Sequence, residues 1–367
     1  MVPDSAPVIS GGASSSTSRV CVSPTESGPC SSNGRQTQTC GNGVIRRSFE
    51  SQGISSEVAE FLLGSWRNGT KQQYGPHLKR WLSFCVQGGF DPFHPFVNVL
   101  LEFLFHEFRG GKGRQYSSMN SLRSAISSVA CIDGKPAGQH PLVCRFMKAV
   151  FNEKPVFPRY NFTWDPQLVL NYLVGLGSNK HLSILQLSRK LVMLMLLQSG
   201  QRCQTLHLLD TRNMFFTPSK VTFTLGDLLK TSGPKRHLSQ ITFKAYAPDR
   251  RLCVHTALVS YLKRTLDTRG KVTSLFLTTS VPRKAASRDT LRRWTRDLMG
   301  SAGVDISIFS PHSTRSASSS TAAKYLPLST IVKAIGWSTS STFTTYYRKP
   351  IQDSRFADAV LASRNTS

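Results

Sequence analysis

The sequence predicts a mainly α-helical protein of two domains, the second carrying one small β-sheet or hairpin. Three observations carry this expectation. Apolar residues recur at helical spacing from about residue 55 to 150 and again from about 166 to 300. Strand-like alternation is clear only in VTFTLGDLL (221–229) and HLSQITF (237–243), which flank the turn KTSGPKR. Between the two helical regions lies NEKPVFPRYNF (152–162), which holds two prolines and no period and reads as a linker.

Taken in order, residues 1–50 are rich in Ser, Gly, Thr and Pro, and a disordered tail is expected there. The first domain spans 55–152 with four helices. Thr70 is placed to cap a helix whose apolar face is Tyr74, Leu78, Trp81 and Cys85. A second helix covers about 96–108. A third carries Met119, Leu122, Ile126 and Val129, and a fourth starts at Pro141, a residue suited to a first helical turn. After the linker (153–162), the second domain (163–355) has helices at about 166–175, 182–198, 253–266 and 288–300, then through the stretch Pro311–Pro350. A short tail, 356–367, closes the chain.

Charge narrows the partner. Lys and Arg number 46 against 20 Asp and Glu, a net +26, while the first 50 residues hold only four Arg against Asp4, Glu26 and Glu50. The excess therefore belongs to the folded part and points to a polyanion, most simply nucleic acid. No run approaches the roughly 18–20 apolar residues of a membrane span, and no secretory signal is visible at the N-terminus. The eight Cys have no CxxC spacing and the nine His no paired metal spacing, so free thiols are expected, with no metal or cofactor.

The stretch PHSTRSASSSTAAKYLPLSTIVKAIGWSTSSTFTTYYRKP (311–350) carries the chemistry. It places His312 and Arg315 three apart, on one helical face, then Trp337 and the adjacent Tyr346 and Tyr347. A phosphate-binding pair, an indole donor and a candidate nucleophile suggest a reaction at a phosphodiester. Upstream, SGQR (199–202) supplies Arg202, and Lys230 sits at the hairpin turn.

In this order the motifs resemble the tyrosine recombinase (phage-integrase-like) family, most closely the recombinases of DIRS-like eukaryotic mobile elements, over nearly the whole chain after residue 50. The resemblance implies a SAM-like, four-helix core-binding domain at the N-terminal side and a catalytic domain after it. It implies a DNA recombinase or integrase that cuts and rejoins strands through a covalent 3′-phosphotyrosine link, without metal or ATP. Arg202 and Arg315 would clamp the phosphate oxygens, a task suited to a planar fork that stays charged. His312 would transfer the tyrosine proton, Lys230 (or Lys235 on the same turn) would protonate the leaving 5′ oxygen, and Trp337 would donate to a phosphate oxygen. The aromatic–Tyr–x–Lys–Pro pattern selects Tyr347 as nucleophile, whereas a register nine residues after the Trp selects Tyr346. Many relatives put an acidic residue three positions after the first Arg, where this chain has Thr205. The implied partners are double-stranded DNA and a homotetramer on synapsed DNA, in the nucleus. Two alternatives stand beside this: a decayed or domesticated recombinase that only binds DNA, and a single-subunit DNA relaxase of the type IB topoisomerase kind.

Overall fold

The structure, a computed structural model, describes residues 43–110, 114–157, 160–229, 232–234 and 237–351. Lys230, Lys235, residues 1–42 of the expected N-terminal tail and the expected tail 356–367 lie outside the described residues. The chain divides into two units, Met1–Phe157 and Pro158–Ser367. Among the described residues no helix is long and apolar enough to cross a membrane.

The first unit contains the four expected helices, α2 (Asn68–Gly88), α3 (Val97–Arg109), α4 (Tyr116–Ser127) and α5 (Pro141–Glu153), preceded by α1 (Ser56–Leu63). They enclose one core around Trp81, Phe103, Leu104, Leu122 and Met147. Two expectations are corrected here. Residues 43–50 are helical, so the expected tail cannot extend to residue 50. Val44 and Ile45 enter the core, and Ser48 Oγ donates to Val129 O at 3.0 Å. Four apolar or small side chains within eight residues were enough, although too short a run to show a period. Nor is Thr70 a cap: the backbone N–H groups of Thr70 and Lys71 both bond Arg67 O, which starts the helix at Asn68. A two-residue ladder, β1 (Cys131–Ile132) with β2 (Lys135–Pro136), was not expected from the sequence.

The second unit is built around α7 (Ile184–Ser199). A capping box of Ser183 and Gln186 starts it, satisfying two orphan backbone donors reciprocally. Its apolar side chains run all round, with Leu187 and Leu191 to Leu196 buried, so it must be enclosed. α9 (Val254–Arg269), α10 (Arg288–Ser301) and α11 (Ser313–Ala322) all pack on it, with α6 (Pro166–Gly175) against α10 and α11. The expected hairpin is the inner and outer strand of a three-stranded antiparallel sheet: β3 (Met214–Thr217), β4 (Lys220–Thr224) and β5 (Gln240–Lys244), with Thr222 opposite Thr242. β3 escaped the sequence reading because MFFT is four residues long and apolar on both faces, with no alternation to detect. A separate small cluster of Ile331, Ile335, Trp337 and Phe343 joins α12 (Leu328–Ile335) to α13 (Ser340–Tyr346), with Tyr347 packed on its rim.

Since α7 is the common wall for three helices, Leu191→Ala should cost about 2–5 kcal/mol of unfolding free energy through lost transfer energy plus a cavity. Urea denaturation of the full chain measures this.

Candidate active site

The end of α7 positions the first arginine. Gly200 closes the helix with φ +60, and a Cβ there would lie 2.8 Å from Ile335 Cδ1, so glycine is needed both for the turn and for the approach of α12. The chain then turns through Gln201 to Arg202, the N-cap of the short α8 (Cys203–His207), whose side chain makes no cap and is left to reach across the site. Gln201 is buried and donates from Nε2 to Ile335 O at 3.0 Å, tying this turn to α12. Thr205 does not brace Arg202; its hydroxyl donates to Gln201 Oε1 at 3.4 Å.

His312 is the N-cap of α11 and Arg315 lies in its first turn. Arg315 is only 1% exposed. Its Nη1 donates to Gly200 O at 2.9 Å, while Nε and Nη2 are buried with no protein partner. The guanidinium carbon lies 4.8 Å from the centroid of the Trp337 ring and 5.4 Å from that of Tyr347, so the cation lies against both aromatic rings. Burial, and then the neighbouring charge of Arg202, push this guanidinium down to about 9. Among the described residues no carboxylate pairs with it. Trp337 stacks on Tyr347 with centroids 5.0 Å apart, and its Nε1 is also a buried donor without a partner.

α13 ends at Tyr346, and Tyr347 is its C-cap. This decides where the two phenols point. Tyr346 is 69% exposed. The half-buried Tyr347 places its Oη 3.3 Å from Nη2 of Arg202 and 3.3 Å from Nε2 of His312. Arg202 donates to that oxygen, and the direction of the contact with the imidazole is set by the histidine tautomer: with Nε2 unprotonated, the phenol donates to it. A hydroxyl held between a base and a cation is set up to lose its proton and attack an electrophile. The N–H groups of Arg315 and Trp337 that lack a protein acceptor lie against the same ring, and an oxyanion seated there would satisfy them.

Beside this arrangement is an open cleft of about 340 Å³, lined by residues that include Arg202, Arg288, Arg292 and His312 and by no carboxylate. Arg288 and Arg292 went unremarked in the sequence, although their i, i+4 spacing on α10 already put them on one face. The structure thus brings together Arg202, His312, Arg315, Trp337 and Tyr347 and leaves Tyr346 outside the group.

Residues 176–352 match the phage integrase family. This segment resembles a phage integrase family domain. It contains every member of the cluster just described. Among solved structures, the chain is similar to XerH site-specific recombinase bound to a palindromic difH substrate in a post-cleavage complex, at 14% identity over 88% of this chain and 95% of that one, with a TM-score of 0.53. XerA recombinase is similar at 16% identity over 89% and 98%, TM-score 0.39. The Tn1549 transposon integrase with circular intermediate DNA is similar at 12% identity over 87% and 99%, TM-score 0.49. The likeness to XerH shows that the chain shares the fold of that protein. No curated protein matches the chain.

Arg315 buries a charge that makes no ion pair with a carboxylate among the described residues. Arg315→Met keeps the length and removes the charge, and should raise the unfolding free energy by about 1–2 kcal/mol. Inorganic phosphate is expected to bind the unpartnered donors of the parent and raise its thermal stability, and Arg315→Met should erase that gain. Thermal unfolding of both proteins, with and without phosphate, checks both effects.

Proposed function

We propose that this chain is a tyrosine-type DNA recombinase that cuts and rejoins DNA through a covalent 3′-phosphotyrosine intermediate. The observation that carries the reading is the Tyr347 hydroxyl set between His312 and Arg202, beside unpartnered donors of Arg315 and Trp337. Tyr347 Oη attacks the phosphorus, its proton passes to His312, and the P–O5′ bond breaks as the P–O(Tyr) bond forms. Negative charge grows on the two non-bridging oxygens, where the Arg202 and Arg315 forks and the Trp337 N–H meet it as a preorganised clamp. Lys230, which lies between β4 and β5 in the sequence, is assigned the proton for the leaving 5′ oxygen. The phosphotyrosine link keeps the ester bond energy, so an incoming 5′ hydroxyl reverses the step without ATP.

The wider assignments follow from the same chemistry. Exchange between two duplexes requires four strand cuts, one per Tyr347, which favours a homotetramer on synapsed double-stranded DNA. The net +26 of the chain supports a duplex held partly by the first unit, as a core-binding domain, with exposed Arg145 and Lys148 among its cations. The run Tyr346–Pro350 favours an origin in DIRS-like mobile elements and, with a eukaryotic DNA substrate, residence in the nucleus.

On a suicide duplex nicked near the cut site, Tyr347→Phe should abolish the denaturant-resistant protein–DNA adduct, whereas Tyr346→Phe should retain it to within about threefold. Gel electrophoresis under denaturing conditions reads both. An adduct that survives Tyr347→Phe, or none from the parent on any duplex, contradicts the reading. Non-covalent DNA affinity should fall steeply with salt, by about 10³ or more between 50 and 200 mM if six or more phosphates are contacted, which filter binding measures.

A further inference from the structure

Beyond Arg315, α11 continues as SASSST (316–321), a run that neither the phosphate clamp nor an apolar core explains. A serine within a helix ordinarily returns its hydroxyl to a carbonyl one turn back. Ser319 does so, donating to Arg315 O at 2.6 Å. Ser316 and Ser320 behave differently. One turn apart on the same face, both donate to the backbone carbonyl of Tyr347, at 2.8 and 2.9 Å, across 31 and 27 residues of sequence. Ser320 Oγ also accepts from the backbone N–H of Lys349 at 3.1 Å. Both serines are buried, so water does not compete for these bonds.

A carbonyl oxygen has two lone pairs, and two fixed donors set the plane of its peptide. Here that plane sets the direction of the Tyr347 side chain. The constraint matters because Tyr347 lies just past a seven-residue helix, a kind of element whose end frays readily. The chain after it is held as well: Lys349 Nζ donates to Tyr160 O at 2.7 Å, and Thr163 N–H donates to Pro350 O at 2.8 Å.

We propose that Ser316 and Ser320 are positioning residues for the Tyr347 nucleophile. They fasten the backbone of the tyrosine to the helix that carries His312 and Arg315, so the attacking oxygen and the phosphate donors keep one geometry. The proposal rests on the reading of Tyr347 as nucleophile. It assigns a role to a serine run that the phosphate clamp does not use.

The test compares the parent full-length chain with Ser316→Ala, Ser320→Ala and the double variant. The substrates are nicked suicide duplexes whose sequences are selected for binding from a random pool. Single-turnover adduct formation at saturating DNA is measured beside the DNA dissociation constant. The double variant should form adduct roughly 10–100-fold more slowly, the penalty of about an ångström of misplacement, with affinity within about twofold of the parent. Each single variant keeps one hydroxyl on the carbonyl and should lose less. A double-variant rate within about twofold of the parent overturns the proposal. So does an equal loss of rate and affinity, which would mark the serines as supports of the fold or of the DNA-binding face. If the double variant does not fold, the singles decide: a loss of rate at unchanged affinity supports the proposal, and unchanged rates in both overturn it. A parent that forms no adduct on any selected duplex instead overturns the functional reading.

Discussion

The site depends on the burial of one cation. Arg315 is enclosed with a single protein hydrogen bond, from Nη1 to Gly200 O. That bond joins the first turn of α11 to the end of α7, and so sets the two arginines relative to each other. The remaining donors are left without acceptors. A guanidinium withdrawn from water without a carboxylate is costly, and its depressed ionisation records that cost. The protein tolerates it because aromatic faces of Trp337 and Tyr347 cover the charge and the surrounding helices leave it no other position. What the fold withholds from Arg315, a phosphodiester would supply.

The elements around that cation take separate tasks. α7 and its glycine turn present Arg202. Gln201 fixes α12 through the Ile335 carbonyl, and α12 leads into the small cluster that seats Trp337 and the Tyr347 ring. Because this cluster is distinct from the main core of the second unit, Tyr347 sits on a light element and is anchored from outside it. The hydroxyls of Ser316 and Ser320 provide such anchoring from the helix that also holds His312 and Arg315. Stability and chemistry therefore oppose each other at Arg315 and cooperate at the serines.

The sequence made legible those parts of the site that act through distinctive side chains. Arg202, His312, Arg315, Trp337 and the tyrosine pair stand in an order that few other chemistries would explain, and the long helices follow from apolar periodicity. Residues that act by bonding main-chain carbonyls were not legible, because a carbonyl partner leaves no trace in sequence. Gln201, Ser316 and Ser320 are of this kind. The choice between Tyr346 and Tyr347 also hinged on something hidden, the residue at which α13 ends. Thr205 invited comparison with an acidic brace for Arg202, yet it bonds Gln201 and supports the turn instead. β3 and the helical residues 43–50 were missed for a simpler reason: four and eight residues are too few to display a period that packing alone completes.

The central claim is that the unpartnered donors of Arg315 and Trp337 receive the scissile phosphate while Tyr347 faces it in line. A crystal structure of the protein with nicked duplex DNA and orthovanadate at the break tests this most directly, since vanadate adopts the five-coordinate geometry of the transition state. Vanadate oxygens should lie within about 3.2 Å of Arg315 Nη2 or Nε and of Trp337 Nε1, with the Tyr347 oxygen at an apical position. Vanadate bound elsewhere in the cleft, at Arg288 and Arg292 for instance, with Arg315 still lacking a partner and Tyr347 turned away, would contradict it.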